Sequence, residues 1–200
     1  MIKTVFFDIG GVLLTNGWDR RHRAATAAEF DLDYEEFQDR HDFVVHDFET
    51  GRMGLDEYLI RTVFYRARDF TKDEYRRSMF AHSEELPGAL DLLDEIAATG
   101  VQLASLNNES RELNEHRIRE YRLDDRLSMF LSSCYLGVKK PEKAMYALAL
   151  QITQRQPQEC VFIDDRSLNL ECASELGING VLHTGNAELR AALVKYGLPL

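Results

Sequence analysis

Asp8 ends a short apolar run, Thr4-Val5-Phe6-Phe7, and is followed at once by Ile9-Gly10-Gly11. A carboxylate at a strand's carboxyl end, next to glycines that let backbone approach closely, suits a nucleophile or a metal ligand. It also suits an aspartate that merely ends a strand, so other residues have to decide. Three more polar groups follow apolar runs: Asn107-Asn108 after residues 101–106, Lys139-Lys140-Pro141 after 129–131, and Asp164-Asp165 after 160–163. Together they offer three carboxylates, two amides and one or two ammonium groups.

These residues can act together only if the elements before them lie side by side. From Leu86 onward, apolar strand-like runs alternate with amphipathic helical stretches: helix 88–99, strand 101–106, helix 110–121, strand 129–131, helix 142–151, strand 160–163, helix 168–176, strand 180–183. That alternation, with a first strand at 3–7, gives an α/β fold: a Rossmann-like parallel sheet flanked by helices. Parallel strands bring the polar ends to one rim. Buried carboxylates within about 4–6 Å of each other repel strongly unless a cation neutralises them, and an all-oxygen set suits a hard cation. Mg²⁺ is the expected ion, and a nearby lysine lets the site hold a phosphoryl group between metal and ammonium.

Between the first strand and Leu86 no comparable strand occurs. Residues 19–30, 34–46, 54–68 and 71–82 all read as helices, an inserted all-helical block whose stripe residues Phe37, Val44, Tyr58 and Val63 pack the helices together. The expected division is a core of residues 1–15 and 86–200 with a helical cap at 16–85.

Four motifs in this order resemble the haloacid dehalogenase superfamily over essentially the whole chain: Asp8-Ile9-Gly10-Gly11-Val12, Asn107-Asn108, Lys140-Pro141-Glu142, and Asp164-Asp165 through Asn169. The chain is similar to the phosphatases whose helical cap follows the first motif, including sugar-1-phosphate phosphatases with a glycine two residues after the nucleophile. The resemblance implies that Asp8 attacks phosphorus to form an aspartyl-phosphate that water hydrolyses. It implies Mg²⁺ held by Asp8, the Gly10 carbonyl and Asp165, with Asp164 indirect. Lys140 would contact the phosphoryl oxygens and Asp8, and Asn108 with the backbone near Asn107 would hold the remaining oxygens.

Two positions depart from that pattern. Gly10 stands where family phosphatases carry a second Asp that protonates the leaving alcohol; a positioned acid or base is worth about 10²–10⁴ in rate. Anomeric, phenolic or acyl phosphates need less protonation, and Asp19, His22 and His46 of the helical block are candidate replacements. Asn107 stands where Ser or Thr is usual. Blander readings sit beside these: Asp164-Asp165 could cap the following helix, Lys139 reads as a solvent-facing neighbour, Asn169 could pin its loop, and Arg20, Arg21 and Arg23 read as a solvated helix face.

The whole chain bounds the function. Two hundred residues with 44% hydrophobic content support a real core, and a net charge of −10 argues against nucleic-acid or anionic-membrane partners. Cys134, Cys160 and Cys172 have no metal-ligand spacing, which points to reduced thiols and a cytoplasmic setting. No apolar run nears the roughly 18 residues of a membrane span. The expected activity is Mg²⁺-dependent hydrolysis of a small phosphate monoester, a phosphosugar or similar metabolite. The rivals are a metal-free 2-haloacid dehalogenase and a binding module phosphorylated on Asp8. Nothing in the chain speaks to oligomeric state.

Overall fold

The computed structural model describes residues 1–200. Its centre is a five-stranded, wholly parallel sheet: β1 (Thr4–Phe7), β2 (Gln102–Asn107), β3 (Met129–Ser132), β4 (Cys160–Asp164) and β5 (Asn179–Leu182), in the order β3-β2-β1-β4-β5. The chain builds outward from β1 on one side, then crosses to the other, so β1 and β4 flank the point where the winding reverses. Ligands of open α/β sheets bind outside the carboxyl ends of the strands there. Asp8 and Asp164 stand at that place.

Strand residues alternate between two buried layers, as the period of two requires. Val5, Phe7, Val161 and Ile163 join a cluster with Leu93, Ile96 and Leu193. Phe6, Ala104, Leu106 and Phe162 join another with Met145, Tyr146 and Ala149. Both faces are covered, which is why the strands read as continuous apolar runs.

Four helices lie between β1 and residue 86: α1 (Arg20–Glu29), α2 (Tyr34–Glu49), α3 (Leu55–Thr62) and α4 (Lys72–Ala81). Asp19, Asp33 and Thr71 accept from backbone N–H groups at the starts of α1, α2 and α4, satisfying donors the helix leaves open. The stretch 54–68 is helical only to Thr62. Val63 and Phe64 N–H both donate to Leu59 O, and Arg68 Nε donates to Val63 O at 2.8 Å, which closes the turn. The four helices enclose an aromatic-rich cluster of Trp18, Phe37, Phe48, Tyr58 and Tyr75, to which one residue of a later helix, Leu113, is added.

Two chain segments join these helices to the rest, and they pair with each other. Thr15 N donates to Glu84 O at 2.8 Å and Leu86 N to Leu13 O at 3.0 Å, around an antiparallel bridge of Leu14 with Glu85. Beyond this ribbon come α5 (Ala89–Ala98), α6 (Arg111–Glu120), α7 (Ser133–Leu136), α8 (Lys143–Thr153), α9 (Ser167–Ser174) and α10 (Asn186–Lys195). The one-turn α7 and the carboxyl-terminal α10 have no counterpart in the sequence reading. α8 begins at Lys143, one residue later than expected, because Glu142 is in extended backbone at φ −60°, ψ 130° and forms its cap. No helix is long and apolar enough to cross a membrane.

Candidate active site

The strand ends form the floor of a cavity of about 470 Å³. β1 fixes Asp8: its N–H donates to Ile163 O at 2.9 Å, and Ile9 N–H donates to its Oδ1 at 2.8 Å. Lys140 Nζ lies 2.9 Å from Asp8 Oδ2 and 2.6 Å from Asp164 Oδ2, with the lysine only 3% exposed. Burial pushes the Asp8 carboxyl up to about 6; the Lys140 ammonium opposes the rise and Asp164 adds to it.

The adjacent carboxylates Asp164 and Asp165 have different surroundings. Asp164 is fully buried and accepts from Lys140 Nζ, from Arg166 N at 2.8 Å and from Asn169 Nδ2 at 3.0 Å on both oxygens. Its lone pairs are spoken for within the protein. Asp165 Oδ1 is buried with no hydrogen-bond partner. One oxygen from each of Asp8, Asp164 and Asp165 lies within 4.8 Å of the others. An orphaned carboxylate oxygen beside two more carboxylates fits a hard divalent cation. The helix-cap reading holds in part: Asp164 accepts the N–H of Arg166, the residue before α9, while Asp165 Oδ1 accepts from none. Gly11, at φ +75°, makes this packing possible: a Cβ there would stand 2.3 Å from Asp165 Oδ2.

The two asparagines differ as well. Asn108 turns its amide on Lys140, accepting from the lysine N–H at 2.8 Å and donating to its C=O at 2.8 Å. Asn107 is 1% exposed; it donates to Asn114 Oδ1 at 3.0 Å and accepts from Ser132 Oγ at 2.9 Å. Asn108 lines the cavity and Asn107 does not. The side-chain amides therefore set the positions of the lysine and of β3. The Asn108 backbone N–H bonds no protein group.

No carboxyl is among the three atoms nearest to a Cβ built on Gly10. The nearest atoms to a Cβ at that position are Asn16 Oδ1 at 3.1 Å and Cα at 3.4 Å, then Arg117 Nη1 at 3.8 Å. Arg117 is buried, pairs with Glu109 Oε2 at 3.1 Å, and donates to Ser83 Oγ and Thr15 O at 3.0 Å each. Burial pushes the Glu109 carboxyl up to about 7, against the pull of Arg117. Of the candidate replacement acids, Asp19 reaches the cavity wall, although it also caps α1. His22 stacks on His82 with ring centres 4.6 Å apart, and neither it nor His46 lines the cavity.

The roof comes from the helical block. Arg20 and Arg23 border the cavity instead of forming a purely solvated face, and Lys139 pairs with Glu49 at 2.7 Å across it. His41, also on the wall, received no role from the sequence. Its Nδ1 lies 2.8 Å from Tyr58 OH, which takes a hydrogen bond from Trp18 Nε1 at 2.9 Å. Burial, with Arg23 and Lys139 adding to it, pushes the imidazole down to about 3. A signal for it existed: Phe37, His41, Val44 and Phe48 form one buried stripe of α2, and an imidazole in such a stripe needs a partner. For Arg117 and Glu109 no comparable signal exists in the sequence.

A model of the family "haloacid dehalogenase-like hydrolase" matches residues 2–177. A chloroplast flavin mononucleotide hydrolase of Arabidopsis thaliana is 31% identical over 161 residues, 80% of this chain and 64% of the relative; the chain thus spans about two thirds of that protein's length. A glyceraldehyde 3-phosphate phosphatase of Pyrococcus abyssi is 23% identical over 180 residues, 83% of this chain and 74% of the relative. Among solved structures, an enzyme of the same family from Bacteroides thetaiotaomicron, in complex with magnesium and inorganic phosphate, superposes with a TM-score of 0.78 at 22% identity. It covers 91% of this chain and 94% of its own. With its parallel sheet, and with Asp8, Lys140 and the Asp164-Asp165 pair at the strand ends, the chain belongs to the haloacid dehalogenase-like hydrolases.

Proposed function

We propose that the protein is a Mg²⁺-dependent phosphatase acting on a small phosphate monoester, a phosphosugar or similar metabolite, through an aspartyl-phosphate on Asp8. The observation that carries this reading is the meeting of Asp8, Asp164 and Asp165 within 4.8 Å, with the Lys140 ammonium bridging two of them. Asp165 and Asp8, with the Gly10 carbonyl, would hold the ion; Asp164 holds Lys140 and would act on the ion only indirectly. When bound, Mg²⁺ supplies positive charge that offsets the carboxylates and the charge developing on the phosphoryl oxygens.

The chain's own groups account for the remaining steps. An Asp8 carboxylate oxygen attacks phosphorus, the bond from phosphorus to the ester oxygen breaks, and that oxygen leaves with the electron pair. Lys140 and the Asn108 backbone N–H face the charge on the transferred group, where fixed donors are worth most because they need no reorganisation. Water then attacks the same phosphorus and releases Asp8 and inorganic phosphate. With glycine at position 10, the leaving oxygen departs without a proton from that position, which favours anomeric, phenolic and acyl phosphates. Residues 16–85 act as a cap that closes over the core of residues 1–15 and 86–200 and excludes water. The three unpaired cysteines suit a reducing, cytoplasmic setting.

Phosphate release from a panel of phosphate esters, with Mg²⁺ and with EDTA, tests the proposal. Asp8→Asn keeps the shape and loses the nucleophile, so turnover falls by about 10⁴-fold or more. Phosphate release that survives EDTA or this substitution overturns the reading.

A further inference from the structure

The charge around the cavity is at odds with the charge of the molecule. The chain carries −10, yet six basic residues line this cavity against four acidic ones. Most of the acids are already answered: Asp8 by Lys140, Glu49 by Lys139, Glu109 by Arg117, while Asp19 caps α1. Arg20, Arg23 and Arg166 remain without a carboxylate partner, so the surplus belongs to the walls beyond the floor.

Among the unpaired groups, Arg23 is held by two hydrogen bonds, whereas Arg20 has one, from Nε to Tyr34 OH at 3.3 Å. Arg23 Nε donates to Gln38 Oε1 at 3.0 Å and its Nη1 to Trp18 O at 2.5 Å, which leaves Nη2 without an acceptor in the protein. His41 is fixed by a different route. An indole N–H only donates, so Tyr58 OH accepts from Trp18, and its proton finds its acceptor in His41 Nδ1. The ring hydrogen is then on Nε2, which has no acceptor in the protein, on a side chain 96% buried (4% exposed) at the cavity wall. Burial keeps the ring neutral at physiological pH, so it acts as a donor and not as an acid. Two positioned donors without acceptors, on the wall of one cavity, mark a place for incoming oxygens.

We propose that Arg23 and His41 form a distal anion subsite, and that the substrate is a phosphate ester whose leaving group carries a second anionic group. This rests on the phosphatase reading above and narrows its substrate class. The second anion is a carboxylate or a second phosphate, both of which offer the oxygens that a guanidinium fork and an imidazole N–H bind. Arg23 and His41 are positioning residues in this scheme: they hold the far end of the substrate so that its phosphorus lies against Asp8. Trp18 and Tyr58 act through His41 by fixing which nitrogen carries the proton.

The test uses phosphonates, whose carbon–phosphorus bond survives the enzyme. In calorimetric titrations of the full chain with Mg²⁺, 3-phosphonopropionate and 4-phosphonobutyrate are compared with propylphosphonate and butylphosphonate, which match them in length and lack the carboxylate. Inorganic phosphate serves as the reference for the floor. The carboxylate should raise affinity by about 10-fold or more. Arg23→Gln and His41→Gln should each cut that advantage to about 3-fold or less, and leave the affinities for the alkylphosphonates and inorganic phosphate unchanged. Equal affinity of the wild-type protein for the matched pairs overturns the subsite while the hydrolase reading stands, and so does an advantage that survives both substitutions. The wild-type comparison needs no variant to fold. Failure of inorganic phosphate to bind in the presence of Mg²⁺ overturns the hydrolase reading and the subsite together.

Discussion

The floor and the roof of the cavity are held in place by different means. On the floor Lys140 sits between Asp8 and Asp164; strand ends fix the two carboxylates, and the Asn108 amide holds the lysine. In the roof the charges rest on an aromatic cluster, and His41 takes its orientation from Tyr58 and Trp18. A floor of this kind is set by sheet topology and by a few bonds next to the strand ends, such as the Asn108 amide on Lys140. The roof depends on how four helices pack, and each packing contact has a share in where Arg23 and His41 point. Variation in the helical block can therefore retune substrate choice without touching the chemistry.

The junction between the two regions offers the largest way to break this contrast. Arg117→Met leaves Glu109 buried without its partner, and removing one member of a buried pair costs about 3–5 kcal/mol. Urea unfolding should show that loss, and adding Glu109→Gln should restore much of it. Next is Gly17→Ala. Gly17 has φ +69°, and a Cβ there would lie 1.7 Å from Arg117 Nη2. Backbone strain of about 1–3 kcal/mol and a displaced guanidinium should appear as lower stability and weaker pairing of the ribbon segments in hydrogen exchange.

His41 gives a smaller, pH-dependent effect within the roof. Its folded pKa lies near 3, below the ordinary value of 6.5. The unfolded chain therefore binds the extra proton in that window, and the stability held above pH 6.5 is lost as pH falls toward 3. At pH 5 the loss is about 2 kcal/mol. His41→Gln should remove that slope, as urea titrations at pH 7 and pH 5 would reveal, while phosphate binding at the floor stays unchanged. At the bottom of the scale, Arg61→Ala breaks an exposed i, i+4 pair with Glu57 at 2.6 Å, and its effect should stay within about 0.5 kcal/mol by thermal unfolding.

The same contrast decides what could be read from the residues. The sheet was legible because Val5-Phe6-Phe7 and Val161-Phe162-Ile163 are buried on both faces and so spell continuous apolar runs. Asp8, Lys140 and Asp164-Asp165 were legible because topology brings strand ends together whatever lies between them. The roof was only partly legible. Arg20 and Arg23 are polar residues at a helix start, and whether that face meets water or a cavity depends on the angle of α1 against the core, which local pattern does not encode. Arg117 lies in α6 among Glu115, His116 and Arg119, and its burial follows from Gly17 and Ser83 arriving from distant parts of the chain. The roles of the two asparagines were missed for a similar reason: an amide can serve a ligand or a neighbouring backbone, and only Lys140 and Asn114 in place decide which.

Asn108 gives the floor a property that its loops would otherwise lack. Its amide grips both the N–H and the C=O of Lys140, as one extended segment grips the next, and so adds a rung just past the last backbone pairing of β2. The loop bearing the lysine is thereby stitched to the most deeply protected part of the molecule. Gentle warming should loosen the rim and the entrance well before it frees the ammonium group, and the machinery at the bottom should melt only when the sheet itself does.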